Sequence, residues 1–271
     1  MEPLVIYNKT YKSIQSIYSS RLKIQILLSI SSGPKSLADL REVTGSTSQA
    51  IIPKIRGLER LSLIESGEKG YVLTSVGKII TAKIENFIMT MAEVMHHQEF
   101  LSTHDIMGIP EPFLLEIGDL LDSELKYDTP DDMFHVFSHF VKILKDAKYI
   151  YGISSVMSPE IAEVLRERIV AGIPIELVVN KKVAETLRQE PFASVLKELL
   201  NFDYFRIWVT EEALRVGITV TDKHLSFGLN KKEGNLYDGS VDLYSSNPRA
   251  INWAKRLFDY YKSRSKILTM E

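Results

Sequence analysis

From Arg21 to Lys78 the chain sets out three short amphipathic helices divided by abrupt stops, then two short strands around a glycine-rich tip. Leu22, Ile26, Leu27 and Ile30 recur at helical spacing, and Ser32-Gly33-Pro34 ends that first helix. Ser36 offers a cap oxygen three residues before Asp39. Leu37, Leu40 and Val43 then share one face of a short helix closed by Thr44-Gly45. Ser46 or Thr47 caps a third helix whose predicted inward stripe is Ala50, Ile51, Ile55, Leu58 and Leu61.

That stripe turns Ser48, Gln49, Ile52, Lys54 and Arg56 outward. Ser and Gln side chains carry the donors and acceptors that read base edges, while Lys54 and Arg56 reach phosphates and fix register. The helix N-terminus, with Ser46 and Thr47, itself favours a phosphate. Leu63-Ile64-Glu65 and Tyr71-Val72-Leu73 read as strands flanking Ser66 to Gly70, which puts Lys69 at a hairpin tip. Thr74 to Lys78 caps a further helix that continues through Ile79, Ile80, Ile84, Phe87 and Ile88 toward Met95. Pro53 and Gly57 oppose the third helix, at about 3 and about 1 kcal/mol. The helix is therefore expected either to start late or to kink.

Charge supports a division of labour. Up to Glu85 there are 12 Lys and Arg against 7 Asp and Glu, and beyond it 21 against 28, a basic head on an acidic body. A polyanion partner is expected for the first part and not for the second. The ordered run from Arg21 to about Glu85, with KSLADLREVTGSTSQAIIPKIRGLERLSLIE and YVLTSVGK, resembles the winged helix-turn-helix of archaeal and bacterial ArsR-like and TrmB-like regulators. The resemblance implies transcription regulation through double-stranded DNA, with contacts from Ser46, Thr47, Ser48, Gln49, Ile52, Lys54, Arg56 and Lys69.

Beyond Pro110 and Pro112, segments Phe113–Leu121 and Asp131–Leu144 read as amphipathic helices, followed by alternating strands and helices. Strands are predicted over 149–153, 175–179, 205–209, 216–220, 225–229 and 241–244. Helices are predicted from Ser158 to Gly172, around 183–188 and 194–200, and from Asn247 through Tyr261. The fold class expected is α+β: an N-terminal winged helix-turn-helix (1–85), a long linker helix (86–109) and a C-terminal α/β domain with a mixed sheet (110–271).

The stretches DAKYIYGISS, GIPIELVVN, GITVTDKHLSFGL and DGSVDLYSSNP resemble the regulatory domain of archaeal methanogenesis regulators, and the layout is similar to the phospholipase-D-like sensor of TrmB-type proteins. That resemblance implies a ligand site at Thr221, Asp222, Lys223, Asp238 and Ser245, residues that serve equally as turn formers. A phospholipase-D-type reaction needs a His-x-Lys pair. Here Lys223 precedes His224 directly, so catalysis by that scheme is not expected.

The chain has no cysteine, which removes disulfides and thiolate chemistry, and no GxGxxG, GxxxxGK[ST] or GxSxG motif. Neither a signal peptide nor a membrane span is read, so a cytoplasmic location is expected. His135 and His139 stand four apart without the acid of a His-Glu-x-x-His site. His96, His97 and His104 with Glu99 and Asp105 read as a solvated helix end. No metal or cofactor is expected, the Met89-Met91-Met95 group reads as a helix interface, and Trp253, Tyr260 and Tyr261 as core or dimer contacts. The reading is a homodimeric regulator with double-stranded DNA as partner, a C-terminal domain that senses a small-molecule effector or a partner, and no enzymatic activity. A phosphodiesterase using His224 and Lys223, or a protein-interaction scaffold, are its rivals.

Overall fold

A computed structural model describes residues 2–269, which form two compact units that meet in sequence between Ile88 and Met89. The first begins with α1 (Pro3–Tyr18) and α2 (Arg21–Ser31), then α3 (Leu37–Thr44) and α4 (Ser48–Arg60). Strands β1 (Ile64–Gly67) and β2 (Gly70–Leu73) follow, and then the first part of α5 (Ser75–His96). Ile26 and Leu27 of α2, Leu40 of α3, Ile51, Ile55 and Leu58 of α4 and Ile84 of α5 are buried together. Burying such side chains stabilises by roughly 1.5–3 kcal/mol each, which is what holds three helices too short to persist alone.

Local chemistry sets the helix ends. Ser36 and Asp39 form a reciprocal capping box at α3, and Gly45, left-handed at φ 63, closes it. Thr47 caps α4 by accepting from Ala50 N, and Thr74 accepts from Gly77 N at 2.9 Å as α5 begins. The hairpin pairs Gly67 with Gly70, so Glu68 and Lys69 form its tip. Lys35 and Tyr71 exchange backbone hydrogen bonds of 3.1 and 2.8 Å that tie the hairpin to the turn before α3.

The second unit holds α6 (Gln98–Thr103), α7 (Glu111–Leu114), β3 (Glu124–Tyr127), α8 (His135–Asp146), β4 (Ile150–Ser154) and α9 (Pro159–Val170). It continues with β5 (Ile175–Asn180), α10 (Lys181–Leu187), α11 (Phe192–Leu199), β6 (Phe205–Thr210), β7 (Val216–Val220) and β8 (Leu225–Leu229). β9 (Val241–Ser245), α12 (Pro248–Lys262) and β10 (Lys266–Ile267) complete it. The strands make one mixed sheet in the order β10-β6-β5-β4-β7-β8-β9-β3, parallel only between β4, β5 and β6. On one face Trp253, Leu257 and Phe258 of α12 pack on Ile218, Phe227 and Leu243. On the other, Ile175, Phe205 and Ile207 meet Ile169, Leu196 and Leu199 of α9 and α11. Trp253 and Tyr261 are thus core residues.

Several expectations are corrected. Segment 86–109 is not one helix: α5 stops at His96, α6 follows, and a 3-10 turn spans Ile106–Gly108. Segment 113–121 divides into α7 and a 3-10 turn, because Phe113 O accepts from Glu116 N and from Trp253 Nε1 at 3.0 Å instead of continuing an α-helical ladder. The helix expected from Asp131 begins at His135, where Asp128 Oδ1 accepts from Val136 N at 2.9 Å. α1, β3 and β10 stand outside the sequence expectations.

Candidate functional site

α4 runs from Ser48 to Arg60 with Pro53 inside it, so it does not start late. Pro53 lacks the N–H that would bond to Gln49 O, and it lies on the exposed side, where that carbonyl is open to solvent partners. Ile51, Ile55 and Leu58 define the inward direction. Ala50, expected inward, lies off that stripe and is exposed, and Leu61 is only half-buried. The opposite stripe is Gln49, Ile52, Pro53 and Arg56, spaced i, i+3, i+4 and i+7 and exposed throughout, with Ile52 at 41 %. Ser46, Ser48 and Lys54 are half-buried, and Thr47 and Lys69 are exposed. Gln49, Ile52 and Arg56 therefore share one solvent-facing ridge. Thr47 is occupied as a cap, and Lys69 stands apart at the hairpin tip.

The charges around this helix are positive. Arg56 pairs with Glu59 at 2.8 Å on the surface, an exposed and solvent-screened pair that adds little to the fold. Behind the ridge Lys23 is 8 % exposed and donates to Ser16 O at 3.0 Å and Ser16 Oγ at 2.6 Å. Burial first, then the neighbouring Lys54 and Arg60, hold its ammonium below the usual lysine range. Sequence reading gave Lys23 no role. Its signal was a lysine on the apolar side of α2, one residue before Ile24.

In the second unit the five residues expected at a ligand site do not gather. Asp222 Oδ1 accepts from Lys148 N at 2.8 Å, and Thr221 Oγ1 accepts from Lys223 N and His224 N, closing the β7–β8 turn. Ser245 Oγ accepts from Asn247 N at 3.2 Å ahead of α12. Asp238 is ringed by His104 at 3.2 Å, Lys231 at 3.1 Å and Ser240. Burial pushes its carboxyl up, but Ser240, Lys231 and His104 outweigh it and hold Asp238 below the usual range. These are turn, cap and ion-pair roles. None of the five lines the large cavity of this unit, whose polar wall is Thr219, Ser226, Tyr237 and Asp242.

The histidines are also engaged. His97 Nδ1 meets Glu93 Oε1 at 2.8 Å in a buried pair, His135 pairs with Asp132, and the His139 ring stands edge-on to Tyr244. Among the described residues no group of three or more His, Asp or Glu is placed to hold a metal, and no helix is long and apolar enough to cross a membrane.

Comparison with known proteins follows the same division. The family described as "Methanogenesis regulatory protein FilR1, N-terminal domain" matches residues 11–92, and "Methanogenesis regulatory protein FilR1, middle domain" matches residues 133–264. The methanogenesis regulatory protein FilR1 of Methanothrix harundinacea (strain 6Ac) is 28% identical over 260 residues, 95% of this chain. The chain spans 58% of that relative's length. Among solved structures, TrmBL2, described as an archaeal chromatin protein, aligns over 96% of this chain and 99% of its own at 11% identity and TM-score 0.42. Phosphatidylserine synthase of Haemophilus influenzae Rd KW20 aligns over 54% of this chain and 39% of its own at 10% identity and TM-score 0.39. The chain is thus similar to the N-terminal and middle domains of FilR1, matched in the same order along most of its length.

Proposed function

We propose that this chain is a sequence-specific DNA-binding transcription regulator that acts as a homodimer. The observation that carries the reading is the exposed ridge of α4. Gln49 presents an amide to base edges, Ile52 an apolar contact for a thymine methyl, and Arg56 a guanidinium for phosphate or guanine. Lys54 beside the ridge and Lys69 at the wing tip add phosphate contacts, and the net positive charge of the first 85 residues supplies long-range attraction. The relative's name, a regulatory protein, agrees with this.

The dimer reading is supported by α1. Leu4, Tyr7, Tyr11, Ile14 and Tyr18 recur at alternating spacings of three and four, and each is more than a third exposed. That is a heptad seam left largely open to solvent, with Tyr18 at its end edge-on to Phe87 of α5, and a second copy of α1 supplies the matching seam. Two recognition helices brought together in this way read half-sites about one turn of duplex apart.

A phosphodiester reaction gains no support from the geometry, since Lys223 and His224 are neighbours in one tight turn. The deciding experiment is selection of bound duplexes from a random pool. An enriched two-fold palindrome with salt-dependent affinity is expected. Absence of salt-dependent binding would leave the winged helix as a protein-contact module instead.

A further inference from the structure

The face of the sheet turned away from α12 changes character along its width. Across β5 and β6 it carries Leu177, Val179, Phe205 and Ile207. Across β7, β8 and β9 the same face carries Gly217, Thr219, Ser226, Gly228, Asp242 and Tyr244. Gly152, Thr219, Ser226 and Tyr244 are successive cross-strand partners, and Gly217 pairs with Gly228 in the adjacent row. Such residues ordinarily mark a solvated face. Here Thr219, Ser226, Asp242 and Tyr244 are all less than 9 % exposed.

The two glycines leave room for the Tyr237 ring. A methyl on Gly228 would stand 2.2 Å from Tyr237 Oη and 2.9 Å from Asp242 Oδ1, and one on Gly217 would stand 2.8 Å from the ring. The hydroxyl and the carboxylate therefore converge on the same spot. Ser226 Oγ donates to Asp242 Oδ2, and the Tyr244 hydroxyl donates to Val136 O at 3.3 Å. Asp242 Oδ1 is fully buried and accepts no hydrogen bond of good geometry. Leaving a buried carboxylate oxygen unsatisfied forfeits its hydration without return, so this atom calls for a donor.

Above this row lies a cavity of about 530 Å³, within the usual size range for small-molecule sites. Its remaining walls are mostly apolar, from Phe137 and Phe140 of α8, Ile161 and Leu165 of α9, and Phe192 and Val195 of α11, with Ser154, Ser158 and the paired Glu163 and Arg166 also on the lining.

We propose that this cavity binds a small apolar molecule whose single polar end donates a hydrogen bond to Asp242 Oδ1. The apolar body lies among the helices, and an amine, hydroxyl or amide N–H completes the row of Ser226, Asp242 and Tyr237. Burial pushes the Asp242 carboxyl up to about 7 against the pull of the Ser226 and Tyr244 hydroxyls, and a donor placed at Oδ1 adds to that pull. Binding itself is independent of DNA. Only the role of the ligand as an effector rests on the regulator reading above.

The test uses the full chain and two probes with one alkyl length, n-octylamine as donor and octanoate as acceptor, titrated calorimetrically. Octylamine is expected to bind roughly tenfold or more tightly than octanoate. Asp242→Asn keeps an acceptor for Ser226 and turns an N–H toward the cavity, so the preference is expected to fall or invert. Ala162→Phe, which fills the cavity from α9, is expected to abolish binding of both while leaving Asp242 in place. Equal binding of the two probes, binding of neither, or an Ala162→Phe protein that binds octylamine as before would overturn the proposal. DNA affinity measured on the same samples separates this outcome from failure of the regulator reading, because loss of one leaves the other standing.

Discussion

Gly57 of α4 faces the side chain of Lys23 on α2: a methyl there would stand 3.1 Å from Lys23 Cε and 3.2 Å from Nζ. The glycine that weakens α4 by about 1 kcal/mol is thus the gap through which a buried lysine reaches Ser16 on α1. One ammonium joins three helices. In the wild type Gly57→Ala must push aside an anchored side chain, and we expect a loss of stability. In a Lys23→Ala background the same change meets no obstacle and is expected to stabilise by about 1 kcal/mol, its helix propensity alone. Urea denaturation of the four proteins gives the coupling; equal effects in both backgrounds would show that Lys23 does not hold the gap.

If α4 reads DNA as proposed, its ridge separates base reading from phosphate contact. Lys54→Ala is expected to weaken binding evenly across duplex sequences and to lower the salt slope by about 1, whereas Gln49→Ala should relax preference at one base pair. Arg56→Ala removes a side chain already paired with Glu59, so the fold should hold while affinity falls. Fluorescence anisotropy over a salt series, on matched and single-mismatch duplexes, reads all three. Unchanged binding in every variant would take the recognition helix away from DNA.

Much of the head is legible in its letters because its signals are local. Ser36 with Asp39, Gly45 and Thr47 each settle a helix end through contacts within three residues. α1 is legible only in part: its stripe of Leu4, Tyr7, Tyr11, Ile14 and Tyr18 is periodic, but it opens on Pro3 without a side-chain cap and sits among ordinary surface residues. β3 and β10, four and two residues long, are made by their neighbours β9 and β6, which local sequence does not reveal. The polar wall of the cavity was hidden for a different reason. Asp242 and Tyr244 alternate with Val241 and Leu243, the pattern of a half-exposed strand, and only the helices laid over them turn that pattern into a buried site.

Asp242 makes stability depend on pH in a defined direction. Its carboxyl rises from an ordinary 3.8 to about 7 on folding, chiefly through burial, with Tyr237, Tyr244, Ser226 and nearby Asp238 as the polar groups around it. A raised carboxyl pKa means that the folded protein binds more protons than the unfolded chain between those values. The contribution is therefore complete below about pH 4 and is lost as pH rises through 7, on the order of a few kcal/mol. Asp242→Asn cannot ionise. Midpoints of urea unfolding between pH 4 and pH 8 should fall more steeply for the wild type than for the variant, and parallel curves would place the titration elsewhere.

If the seam of α1 holds the proposed dimer, it ties assembly to DNA affinity. Tyr7 is 51% and Tyr11 41% exposed, so a charge at either position meets no buried partner in the isolated chain and the fold should persist. In a paired seam the same charge faces its own copy across a desolvated surface, where like charges repel and lose their water. Tyr7→Glu with Tyr11→Glu is therefore expected to give a folded monomer by sedimentation equilibrium, with unchanged circular dichroism. Because a monomer presents one recognition helix, its affinity for a palindromic duplex should fall toward that for a single half-site, while Tyr7→Phe with Tyr11→Phe keeps both dimer and affinity. A dimer that survives the two glutamates would move the interface away from α1, and a monomer that still binds the palindrome at full strength would detach dimerisation from recognition.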